Sequence, residues 1–448
     1  MSLPGSIREI TSLLARGELS SEDLVRAHIE RAESLSDLNA FISLLPDAAL
    51  EQARRLDGMR RRGEILGPLH GIPITAKDLV WSKGDRTTSG SKIYADFVPD
   101  RDASALARLR ERGAVLLGKT NLHEFAYGVS NVNPHYGAAR NPWDRTRISG
   151  GSSGGSAVSL ASGVGYGSIG TDTGGSIRIP SALCGTVGLK PTYGRISREG
   201  VTPLSWSLDH VGPMARTVED VAVLYEAMSG ETLRLPEGEQ SQSFRVGVHA
   251  RYFLANLSPD VEASVGAAVK TLESIGATVV EIDVPEIELQ AACRNTIAFA
   301  EASCYHEKNI RTRPQDYGED TRELLRLGLL IPATDYLAAL RARRLLVRSF
   351  RKAFEAIDVL ATPSTPAAAP PIGAAVLDNE EELRSGLLRL AGPFNTVGFP
   401  AMSVPCGFTE RGLPLGLQLA AAPGKERLLL RIAHAFERRC GLTRSPAV

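Results

Sequence analysis

"SGGSSGGS", residues 149–156, sets four serines against four glycines. Taken alone it has the composition of a flexible linker. A near echo, "GTDTGGSIRIP" at residues 170–180, follows a short way on. Two such clusters close together in a chain with ample apolar residues are poor linkers and better candidates for backbone that must approach something closely. Several short patterns compete here. "GGSSG" fits G-x-S-x-G with Ser152 or Ser153 at its centre, the strand-to-helix elbow of α/β-hydrolase esterases. That elbow needs a strong strand before it, and "ARNPWDRTRIS" at residues 139–149 is a weak one that contains proline. "GYGSIG" at residues 165–170 fits a dinucleotide fingerprint, but another glycine turn follows it where a helix is required. "DTGG" at Asp172 has no second DTG or DSG to make an aspartic protease pair, and "SGSK" at residues 89–92 lacks its partner motifs. No Walker lysine follows either cluster.

Outward from these clusters the chain alternates helix and strand signals. Ser6, Ser20 and Thr217 each precede an apolar-periodic run as helix caps, and Ser20 and Thr217 have an acidic residue, Asp23 and Asp220, three positions on. "AVLLG", "FRVGVHA" and "TVVEID" read as strands, and residues 290–355 read as mostly helical. Ser258 is expected as a cap with Pro259 at the first helical position, and Gly276 as the stop. The resulting strand–helix–strand unit favours a mixed, mostly parallel sheet within one α/β domain over residues 1–448. A helical region (1–66), a core (67–216) and a remainder carrying more sheet and pocket segments (217–448) are its expected parts.

Composition removes several function classes. The 448 residues include 43% hydrophobic and 23% charged positions, and Lys+Arg equals Asp+Glu at 51 each. No basic excess marks a nucleic-acid binder, and the most basic run, at residues 340–354, has the apolar spacing of a solvated helix. Five scattered cysteines without CxxC spacing suit a reducing compartment, and none of the eight histidines falls in a metal-ligand pattern. His123 and His210 are therefore expected to be packed or substrate-lining, and Cys184 to be a packed small residue. No apolar run reaches membrane-spanning length. A cytoplasmic location is expected, with no membrane partner.

What survives is a lysine in an apolar turn plus serines in two glycine loops. Serine with lysine can cleave an amide without histidine, provided the lysine is neutral. A free lysine has a pKa of about 10.4, so only about one in a thousand is neutral near pH 7, and burial is the means of lowering it. Lys77 lies in "GIPITAKDLV", residues 71–80, which is apolar on its N-terminal side. Asp78 would oppose the shift only if it shared Lys77's face, and neighbours along a strand point oppositely.

"GIPITAKD", "GGSSGGSA" and "GTDTGGSIRIP…GLKPTYGR", in this order, resemble the amidase signature family over about residues 67–216, with weaker likeness through "NTVGFPAMSVPCGF" and "LPLGLQL". The resemblance implies a single α/β/α domain and a Ser–cisSer–Lys triad. Ser176 would be the acylated nucleophile, Ser152 a relay held by a cis peptide after Gly151, and Lys77 the base and then the acid. Backbone N–H groups of Thr173, Gly174, Gly175 and Ser176 would surround the oxyanion, with Ser153, Asp172 and Arg178 orienting the loop. The implied substrate is a small-molecule amide, with no cofactor or metal, and a homodimer is compatible. The glutaminase component of a tRNA-dependent amidotransferase, the one reading that brings in nucleic acid, shares these residues. That branch usually carries Gln where Ile179 stands, and residues 123–137 look more like free-standing amidases, so amide hydrolysis is the expected activity. Tyr127, Trp206, Phe299 and Tyr305 are candidates for an apolar pocket lining.

Overall fold

Eleven strands build one sheet in the structure, a computed structural model that describes residues 5–233, 235, 243–373, 380–442 and 444–448. In chain order they are β1 (Phe41–Leu44), β2 (Pro73–Lys77), β3 (Val115–Thr120), β4 (Gly167–Asp172), β5 (Val187–Lys190) and β6 (His210–Ala215). They continue with β7 (Phe244–Val248), β8 (Ala277–Glu281), β9 (Val359–Pro363), β10 (Ala401–Phe408) and β11 (Pro414–Ala420). Across the sheet the order is β1-β3-β2-β4-β6-β5-β10-β11-β9-β7-β8. Helices cover both faces, so central strands are buried throughout; all five residues of β2 and all six of β4 are buried.

The sheet is mixed, as expected, but the expected predominance of parallel pairing is not met. Parallel ladders join β3 to β2, β2 to β4, β9 to β7 and β7 to β8. The other six ladders are antiparallel. Four of the six antiparallel ladders join strands that are not consecutive in the chain, so the neighbour each strand finds sets its direction; connection length decides it only for the closest pairs. The strand–helix–strand unit read from the sequence is present, with helix Pro259–Ser274 carrying the chain from β7 to its parallel neighbour β8. Between β10 and β11 only a tight turn intervenes, closed by Thr409 N–H donating to Leu413 O at 2.8 Å, and so short a link permits only antiparallel return.

Helix starts follow the capping signals closely. The Ser6 side chain accepts from Glu9 N–H while Glu9 reaches back, and Ser20 and Thr217 accept from Asp23 and Asp220 N–H. Ser258 sits at its expected cap position with Pro259 next, but its side chain makes no capping bond.

Placement of the site follows from the central parallel ladders. β2 and β4 run side by side in the same direction, so Lys77 and Asp172, the last residue of each, come to the same sheet edge. Carboxyl ends of parallel strands are where α/β sheets gather ligand-binding loops. The two glycine–serine clusters are the loops found there.

Candidate active site

Lys77 is fully buried, and its Nζ lies 2.7 Å from Ser152 Oγ and 2.9 Å from Thr171 Oγ1. Burial pushes the ammonium down to about 7, against the opposing charges of Asp172 and Asp209. Asp78 points away, as strand alternation requires. It pairs with buried Lys119 at 3.1 Å and accepts from Thr88 N–H and Oγ1. Lys119, on the adjacent strand β3, is thus compensated by a carboxylate, whereas Lys77 is bonded only to hydroxyls.

Ser152 follows a cis peptide bond, Gly151–Ser152, at the position the resemblance implies. Its carbonyl accepts from His123 N–H. Ser153 ties the two clusters together: its N–H donates to Ser176 O at 3.1 Å and its Oγ to Thr171 O at 3.2 Å. "SGGSSGGS" is therefore no linker. Its second half opens helix Gly154–Ala161, packed under the sheet.

Ser176 lies in the loop between β4 and helix Arg178–Cys184 and is 6% exposed, as is Thr173. Gly175 holds φ +130°, where a Cβ would also stand 2.5 Å from Ala391 Cβ, so glycine is required twice over. The Gly175 N–H donates to Asp172 Oδ1 at 2.8 Å. Of the four expected oxyanion donors this one is already engaged, because the tight loop folds it back over the preceding carboxylate.

Asp172 and Arg178 form a buried bidentate pair at 2.9 and 3.0 Å. All five N–H donors of Arg178 find acceptors: two on Asp172 and one each on Ala391 O, Gln418 Oε1 and Asn395 Oδ1. Burial would raise the Asp172 carboxyl, but the charge and hydrogen bonds of Arg178, with help from Lys190 and Asn395, hold it well below the usual range.

Asp209 is a site residue that sequence reasoning misses. It accepts from Thr173 Oγ1 at 2.6 Å and from the N–H groups of Leu204 and Ser205, and burial raises it to about 6. In "SLDHVGP" the histidine draws the eye, and the carboxylate that holds Thr173 stands one residue before it. His210 is packed, its Nδ1 2.7 Å from Leu208 O, and it borders a cavity of about 250 Å³ with Trp206 and Asp209. His123 meets Asp320 at 2.6 Å. Cys184 is buried with Sγ on Ser149 O, its thiol pushed well up by burial. Tyr127 and Phe299 line a second, smaller cavity that includes Ser176. Tyr305 lines neither cavity and meets the Tyr94 hydroxyl.

Among the described residues no group of His, Cys, Asp and Glu is arranged to hold a metal ion, and no helix is long and apolar enough to cross a membrane.

The model of the family named Amidase matches residues 23–430, and the chain belongs to that family of enzymes acting on amide C–N bonds. Among named relatives, a glutamyl-tRNA(Gln) amidotransferase subunit of Moorella thermoacetica is 40% identical, over 96% of this chain and 95% of its own. A crystal structure described as an amidase superposes with a TM-score of 0.90 at 38% identity, covering 97% of this chain and 99% of that one. The corresponding amidotransferase subunit of Thermotoga maritima superposes at 0.82 and 31%, covering 98% and 97%. The preference for a free-standing amidase drawn from Ile179 and residues 123–137 finds no support in the relatives of Moorella thermoacetica and Chloroflexus aggregans, both 40% identical, which carry the amidotransferase name.

Proposed function

We propose that the chain hydrolyses carboxylic amides through an acyl-enzyme on Ser176. The observation that carries this reading is the 2.7 Å contact between Ser152 Oγ and a buried lysine that is about half neutral near pH 7. Neutral Lys77 Nζ takes the proton of Ser152 Oγ as Ser152 takes that of Ser176, whose Oγ then adds to the amide carbonyl carbon. The oxyanion is met by the backbone N–H groups of Thr173, Gly174 and Ser176. The Lys77 ammonium returns the proton through Ser152 to the leaving nitrogen, the C–N bond breaks, and water attacks the ester by the same route. Asp209 and the Asp172–Arg178 pair keep Thr173 and the loop in register.

Ammonia release from a panel of simple amides tests this. Ser176→Ala and Ser152→Ala should each lose at least about a thousandfold in kcat, the scale on which removing a member of a serine triad acts. Substantial turnover by folded Ser176→Ala would overturn the assignment.

A second reading, glutaminase within a tRNA-dependent amidotransferase, is favoured by the name of the 40% identical relative. It predicts glutamine hydrolysis only in the presence of co-purified partner subunits. Turnover of simple amides by the isolated chain argues for the first reading.

A further inference from the structure

We infer that the acyl part of the substrate carries an anionic group, received by Arg294 beside the oxyanion loop; this rests on the hydrolase reading above. The cavity that reaches Ser176 has a volume of about 40 Å³, and Gly174, Tyr127, Phe299, Arg294 and Arg384 stand around it. No Asp or Glu is among its described lining residues.

Arg294 lies on helix Gln290–Thr312 and is 5% exposed. Its side chain passes close to the loop, Cδ standing 3.8 Å from where a Gly174 Cβ would be. Every acceptor it meets is neutral: Leu388 O at 3.0 Å, Asn295 Oδ1 at 2.9 Å and Gln290 Oε1 at 3.5 Å. Neutral oxygens satisfy N–H donors but do not offset the cost of burying the charge, which ordinarily requires a carboxylate. Arg178 nearby has such a carboxylate; Arg294 has none among the described ion pairs.

Arg384 adds a second positive charge to the same wall. It donates to Tyr127 O at 3.1 Å and lies over the rings of Tyr127 and Phe299. Its charge and, more strongly, burial push Arg294 down to about 10. Asp320 lies toward Arg384 but is held by His123 at 2.6 Å, outside the cavity lining. The Arg294 charge beside the nucleophile makes a positive focus, and a bound anion relieves its desolvation.

Charge narrows the class. Monoamides of small dicarboxylic acids suit this wall better than glutamine, whose ammonium would meet arginines and no carboxylate among the described lining residues.

Calorimetry on the Ser176→Ala variant separates this from catalysis. Succinamate should bind about 10–100-fold more tightly than butyramide, the worth of one or two charge-assisted hydrogen bonds. Adding Arg294→Met should reduce that gap to a few-fold, with Arg294→Lys restoring part of it. Should Arg294→Met not fold, Arg384→Gln serves, and should weaken succinamate by about tenfold. Equal binding of succinamate and butyramide, an unchanged gap in either folded variant, or glutamine binding more tightly than succinamate would each overturn the inference. Anion-selective binding in a chain whose unmutated form hydrolyses no amide would remove the proposed function and leave the pocket standing. Hydrolysis of neutral amides without anion preference would do the reverse.

Discussion

Lys77 owes its chemistry to where β2 ends. The residue before it faces the core, the one after it is paired with Lys119, and its own partners are two hydroxyls. With a folded pKa of about 7 against an ordinary value of 10.5, it is the neutral form that the fold favours. The ascending limb of kcat/KM should therefore lie near pH 7, and Lys77→Met should abolish it along with turnover. Linkage gives the accompanying sign: the unfolded chain binds this proton more readily between about pH 7 and 10.5, so stability from this group is lost as pH falls through that window. Lys77→Met should unfold at higher urea than the original at pH 7, and a large loss of stability there would contradict the burial argument. At this scale much was legible. The apolar run before Lys77 is plain in the sequence, the opposite facing of Asp78 follows from strand alternation, and the placing of Asp172 and Arg178 in the loop came with the family resemblance. Thr171, Asp209 and Arg294 were not, since their roles arise only when separate segments close around one loop.

Helix Gly154–Ala161 illustrates what an element can conceal. A Cβ on Gly155 would stand 2.4 Å from Ala40 O and 2.5 Å from both Asn121 N and O, all main-chain atoms that cannot swing aside. Gly155→Ala should cost about 1–3 kcal/mol by overpacking, seen as a lower melting temperature. The glycines of the first cluster read as permissive backbone in the sequence; what they make room for is another segment's backbone, which no local pattern announces. Helix Val218–Ser229 begins differently. Its Val218 N–H donates to both oxygens of Glu437, which burial lifts to about 8, near Asp220 at about 6. An acid raised in the fold contributes stability below its unfolded value near 4.5, and that contribution is lost as pH rises through about 8. Glu437→Gln should therefore retain about 1–2 kcal/mol more stability than the original at pH 9 and little more at pH 5, measured by urea unfolding. Equal pH slopes for the two proteins would refute this. Strand positions and capped starts were readable because period and caps are local. The predominance of antiparallel ladders was not, because strand direction depends on which neighbour each strand finds.

Across the molecule, the loop that carries Ser176 is fastened by distant chain. Arg178 reaches Asn395 and Gln418, so helix Pro393–Val397 and strand β11 both bear on the turn that presents Ser176. Arg178→Met would leave Asp172 buried without its cation, a loss of about 3–5 kcal/mol with a corresponding fall in melting temperature. A melting temperature unchanged by that substitution would show that the pair is not what secures the loop. The two serine–glycine clusters, read together, pointed to one site; that the sheet's carboxyl edge would join them to residues more than two hundred positions away was beyond sequence pattern. The most direct measurement is the mass of protein quenched in acid during amide turnover, followed by peptide mapping. The account predicts an added acyl group on the peptide containing Ser176, absent when Ser176 is alanine. Unmodified protein throughout turnover, with Ser176→Ala equally active, would contradict it.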